Sequence, residues 1–149
     1  MIAYWDTSAF VLLYLAVPGK PDAEFIFQTA ELNLISKLTV LEAYRAFASL
    51  AGHGQISRSD ARRAIERLRR DVPRFSARSV DGILQGTVLE KYLALLERHW
   101  KLGTNDVLHL TVAVAWKNEL KRDVTLVTRD TQLAAAARRE RLKTVIFSS

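Results

Sequence analysis

Of the sixteen acidic residues in this 149-residue chain, four stand where ordinary surface solvation does not account for them. Asp6 follows directly on the short β-type run 2–5 and opens a helical stretch. Asp130 stands two residues beyond a second β-type run, 124–128, again at a helix start. Asp106 falls in the first turn of an almost wholly apolar helical stretch, 105–120. Glu42 lies inside the helical stretch 37–51, among Leu38, Val40, Leu41, Ala43, Tyr44, Ala46 and Phe47. Each aspartate taken alone has a simple structural reading, because Asp satisfies the free N–H groups and the dipole at a helix start. Glu42 is too far from its helix start for that. A carboxylate in such apolar company needs a cation, either Arg45 one turn on or a metal shared with the three aspartates.

Four carboxylates gathered in one crevice repel one another and take up protons, unless a divalent cation compensates them. The chain has no cysteine and no histidine pair suited to zinc, so oxygen ligation selects Mg²⁺ or Mn²⁺. Such a site supports phosphodiester hydrolysis by activated water. The hydroxyls of Thr7, Ser8, Thr39, Thr104 and Thr128 lie close in sequence to these acids and serve as caps, or bind a metal water or a phosphate. His109 shares a helix face with Asp106; the expectation is a partly buried histidine held by a hydrogen bond rather than a general base.

The elements that must position these groups alternate between strand and helix. Strands are expected at 2–5, 32–36, 75–80, 124–128 and 144–147. Helices are expected at 7–16, 21–31, 37–51, 58–72 with Ser57 as its cap, 105–120 and 129–141, with one more from Asp81 or Thr87 to about 100. This is the pattern of an α/β protein with a parallel sheet, whose ligands gather at the carboxyl ends of the strands. No linker or repeat divides the chain, so residues 1–149 read as a single domain. A 49% hydrophobic, 26% charged composition excludes a disordered or low-complexity chain. Absence of cysteine excludes a disulfide scaffold, no apolar run matches a membrane span, and no signal-like start is present; the expectation is a cytoplasmic protein.

The charge is local. Eight arginines between Arg58 and Arg78 face only Asp60, Glu66 and Asp71, so most of the net charge of +6 sits there. Such a stretch is either a solvated helix face or a surface for an anionic partner. Phe25, Phe27 and Phe47, on 21–31 and 37–50, are more large apolar groups than one small core is expected to absorb, which points to a docking surface.

Four segments together resemble the PIN domain: Tyr4-Trp5-Asp6-Thr7-Ser8-Ala9, Leu38-Thr39-Val40-Leu41-Glu42, Asn105-Asp106-Val107-Leu108-His109-Leu110 and Thr128-Arg129-Asp130-Thr131-Gln132-Leu133. Within that family the chain is most similar to the VapC-type toxins of bacterial and archaeal toxin–antitoxin modules. Position by position, Asp6, Glu42, Asp106 and Asp130 match the metal-binding catalytic acids, with Thr7, Ser8 and Thr128 as supporting polar groups. Asp123, close to the fourth acid, precedes its strand and so lies at the wrong end of the sheet, and Thr111 stands where the family more often has alanine. The resemblance implies a three-layer α/β/α sandwich around a central parallel sheet. It implies a Mg²⁺- or Mn²⁺-dependent endoribonuclease of a type II toxin–antitoxin system, a homodimer held inactive by a VapB-type antitoxin. Arg45 and Arg129, beside two of the acids, are the candidates for holding the RNA backbone. Two other readings remain: a non-catalytic PIN-like binding module, and a receiver-type phosphoacceptor domain. The second lacks the adjacent acidic pair after the first strand and the lysine after the last.

Overall fold

In the computed structural model, five parallel strands form one sheet: β1 (Ile2–Trp5), β2 (Leu32–Ser36), β3 (Ser76–Arg78), β4 (Val124–Thr128) and β5 (Lys143–Ile146). Their order is β3-β2-β1-β4-β5, with Ile2 in register with Leu32 on one side and Val124 on the other. The structure describes residues 1–78 and 86–147. Side chains alternate across the sheet with period two, and the core divides accordingly. Ala3, Trp5, Ile35 and Val127 join one cluster, whereas Ile2, Tyr4, Leu34, Val124 and Leu126 join another.

Helices α1 (Thr7–Phe10), α2 (Lys20–Thr29), α3 (Lys37–Gly52) and α4 (Arg58–Asp71) contribute to the first cluster. Helices α5 (Gly86–Arg98), α6 (Thr104–Leu120) and α7 (Thr131–Arg139) contribute to the second. The result is the three-layer α/β/α sandwich. Covered on both faces, the central strands β1 and β4 are buried along their whole length, which is why they read as unbroken apolar runs. The chain winds outward from β1 through β2 to β3, then returns to place β4 on the other flank of β1. That reversal opens a crevice at the carboxyl ends of β1 and β4. No described helix is long and apolar enough to cross a membrane.

Several expectations need correction. The helix expected over 7–16 ends at Phe10 and tightens into a 3₁₀ turn, Val11–Leu13. Leu12, Leu13, Tyr14 and Leu15 are all buried, and a continuous α-helix at the surface buries only a stripe. Phe47 is wholly buried, and Phe27 packs on Trp5 and Phe75; of the three phenylalanines only Phe25 is exposed. Thr39 is spent structurally, forming a reciprocal capping box with Ser36 and bonding the Trp5 carbonyl. The basic helix is capped by Ser57 as expected, but its charge is partly consumed locally. Arg63 pairs with Asp60, Arg69 with Glu66, and Arg67 lies over the Tyr14 ring. The end of the strand expected over 75–80 and a helix start at Asp81 lie outside the described residues; α5 begins in the structure at Gly86.

Candidate metal centre

The end of β1 delivers Asp6 to the crevice. Its backbone N–H still bonds the Val127 carbonyl at 3.0 Å, so the residue is fixed by the sheet before the chain turns into α1. Its side chain makes no capping bond. Instead Oδ2 accepts hydrogen bonds from Ser8 Oγ and from Thr128 Oγ1, the latter at 2.8 Å. Thr128 Oγ1 accepts the Asp130 N–H at 2.9 Å, and Ser8 Oγ accepts the Arg129 N–H at 2.9 Å. Two hydroxyls thus tie the end of β1 to the end of β4 and set Asp6 beside Asp130. For Asp130 the capping reading holds: its Oδ1 accepts the N–H groups of Gln132 and Leu133 at 2.7 and 2.9 Å.

Asp106 is not the cap of α6, a place taken by Gly103. Burial pushes its carboxyl above the ordinary range, and the like charges of Asp130 and Asp6 push it further; His109 and the Gly103 backbone only partly offset this. The three aspartates therefore feel one another.

Glu42 presents its carboxylate from the second turn of α3. Burial disfavours its charge, but hydrogen bonds from His109, Thr7 and Asn105 more than compensate and hold its carboxyl below the usual range. His109 Nε2 and Thr7 Oγ1 donate to Oε2, the former at 2.8 Å, while Asn105 Nδ2 donates to Oε1 at 2.6 Å. A carboxylate only accepts, so Nε2 carries a proton. The His109 ring is 1% exposed, with Nδ1 at 3.0 Å from the Tyr4 hydroxyl. Burial opposes its protonation, yet the Glu42 hydrogen bond and the charges of Asp6, Glu42 and Asp106 raise it overall. The polar partner that Glu42 requires is thus the His109 ring N–H rather than Arg45. Arg45 is exposed and lines the cleft.

All four acids line one cleft of about 430 Å³, together with Thr7, Ser8, Arg45, Asn105 and His109. Thr128 stands behind Asp6, fully buried, and Arg129 lines the adjoining groove beside Ser8 and Asp130. Asn105 and Tyr4 are the members that the sequence reading missed. Asn105 and Asp106 stand four and three residues before His109, so one face of α6 carries all three, and that spacing was a usable signal. Tyr4 had no such signal, because its contact crosses from sheet to helix. Among the described residues no three acids or histidines are already close enough together to ligate one ion. The cleft offers oxygen donors under mutual repulsion, the donor chemistry that suits a hard divalent cation.

A family model for the PIN domain matches residues 3–139. The chain belongs to the PIN-domain family. A solved structure similar to this PIN domain is that of VapBC2 from Rickettsia felis bound to a DNA fragment from the promoter. The two share 16% identity over 99% of this chain and 100% of that chain, with a TM-score of 0.65, a likeness of fold. None of the curated proteins matches the sequence.

Proposed function

We propose that this PIN domain is a Mg²⁺- or Mn²⁺-dependent endoribonuclease of the VapC type, acting in the cytoplasm as the toxin of a type II toxin–antitoxin pair. One observation carries the reading: Asp6 and Asp106 are committed to no helix cap, yet converge with Glu42 and Asp130 in one cleft at the strand-order reversal. Asp6, Asp106 and Asp130, with Glu42, are the residues to hold the ion. A bound divalent ion supplies activation of water and neutralisation of the charge on the leaving oxygen. Ser8 and Thr128 aim Asp6, while His109, Thr7 and Asn105 keep Glu42 ionised and oriented. Arg45 at the cleft and Arg129 beside it are placed to bind backbone phosphates of the RNA, which makes binding weaken as salt rises.

The proposed partners are a VapB-type antitoxin and a second copy of this chain. Their support is the named VapBC complex that shares the fold, and an apolar groove along Val11, Leu12, Leu15 and Leu50 that continues from the cleft at Ser8 and Asp130. The test is incubation of the protein with single-stranded RNA in Mg²⁺ or Mn²⁺, and again in excess chelator. Cleavage is expected only with the metal. Full activity in chelator overturns the metal reading, and RNA binding without cleavage favours a non-catalytic module.

A further inference from the structure

A second cavity, of about 670 Å³, is lined by Trp100, Lys101, Leu102, Gln132 and Arg139 among others. Among the described residues Trp100, 73% exposed, is the most exposed large apolar side chain, and it stands in the turn between α5 and α6. The Leu102 N–H bonds the His99 carbonyl at 2.9 Å, and the buried His99 bonds Glu140 Oε1 at 2.7 Å. Glu140 is further occupied by two Arg98 nitrogens, at 3.1 and 2.9 Å, so its charge is already compensated. Lys101 Nζ lies over the Trp100 ring, 5.4 Å from its centroid. Among the described residues neither Lys101 nor Arg139 has an ion-pair partner. An exposed indole flanked by two uncompensated cations is the combination that stacks a nucleobase and holds its phosphate. Along the chain, its lining adjoins residues of the acidic cleft. Gln132 lies two residues from Asp130, whose Oδ1 holds its backbone N–H, and Leu102 lies four residues before Asp106.

We infer that this cavity is a substrate subsite, in which an unstacked base of single-stranded RNA stacks on Trp100 while the neighbouring phosphate lies against Lys101 and Arg139. The inference rests on the ribonuclease reading and adds to it the place where this chain holds an unpaired base, since a paired base cannot reach the indole. Trp5 is buried and Trp116 half-buried, so Trp100 is the indole that a bound base quenches.

The experiment titrates the full chain, in chelator so that nothing is cut, with a single-stranded oligoribonucleotide and with its blunt duplex. The single strand is expected to quench the tryptophan emission saturably and to bind at least about tenfold tighter than the duplex. Trp100→Ala weakens single-strand binding roughly 5- to 150-fold, and Trp100→Phe retains most of the affinity while losing most of the quenching. In Mn²⁺ the loss on Trp100→Ala falls on KM rather than on kcat, as it does for uniform binding. Unchanged affinity in Trp100→Ala, or equal binding of duplex and single strand, overturns the proposal. So does conversion of a dimer to monomer by Trp100→Ala in light scattering, which assigns the face to a second copy. Quenching through Trp100 without cleavage in Mn²⁺ supports the subsite and contradicts the nuclease reading. Cleavage with KM unchanged in Trp100→Ala does the reverse.

Discussion

Asp6, Asp106 and Asp130 stand in similar places in the sequence, yet the structure gives their carboxylates different employment. Asp130 caps α7, whereas Asp6 is held by two hydroxyls and Asp106 is pressed by its neighbours' charges. Asp106→Asn removes one of three repelling carboxylates and no capping bond. Metal-free thermal stability is therefore expected to stay level or rise, while RNA cleavage falls at least about 100-fold. A melting scan beside a cleavage assay reads both. His109→Leu is expected to act oppositely. It strips a donor from Glu42 and a partner from the Tyr4 hydroxyl in a buried setting, at a cost of about 2–3 kcal/mol in urea unfolding. The acids were legible in the sequence because Asp6 and Asp130 follow strand ends, Asp106 opens an apolar helix and Glu42 interrupts another. The histidine's role was not, since its partner Glu42 lies 67 positions away and only the fold brings them together.

At the scale of elements, the caps separate structural from chemical demands. Asp130→Asn keeps a side-chain acceptor for Gln132 and Leu133, so stability is expected to be nearly unchanged; Asp130→Ala is expected to lose about 1 kcal/mol by denaturant titration. Lys121 ends α6 with a left-handed backbone, φ 52°, a conformation in which glycine is at ease. Lys121→Gly is expected to stabilise the fold by about 0.5–1 kcal/mol, measured the same way. Strands β1, β2 and β4 and helices α3 and α6 were readable because their residues face core on both sides or carry clear breakers, as at Gly103. Residues 7–16 misled because helical propensity favours a straight helix there. Packing of four consecutive side chains, Leu12 to Leu15, into the core overrides that preference.

Across the whole molecule, the reversal of strand order between β1 and β4 converts three separate helix starts into one site. The side of the sheet opposite α1–α4 is tied down partly by Glu140, at the end of α7, which receives Arg98 and His99 from the end of α5. Burial works against the Glu140 charge, but Arg98 and His99 outweigh it and hold the carboxyl below the ordinary glutamate range. A folded value below the unfolded one contributes stability above about pH 4.5, and this is lost as pH falls through the folded value. Glu140→Gln is thus expected to lose about 1 kcal/mol at pH 7, with the two stability curves converging on acidification. Melting temperatures from pH 7 to pH 3 check the sign.

The central claim is that the four-acid cleft holds a divalent cation, and calorimetric titration of Mn²⁺ into the metal-free protein tests it most directly. The account predicts saturable binding by the wild type and loss of that binding in Asp106→Asn, with the fold intact by circular dichroism. Binding of equal strength in both proteins, or none in the wild type, contradicts it.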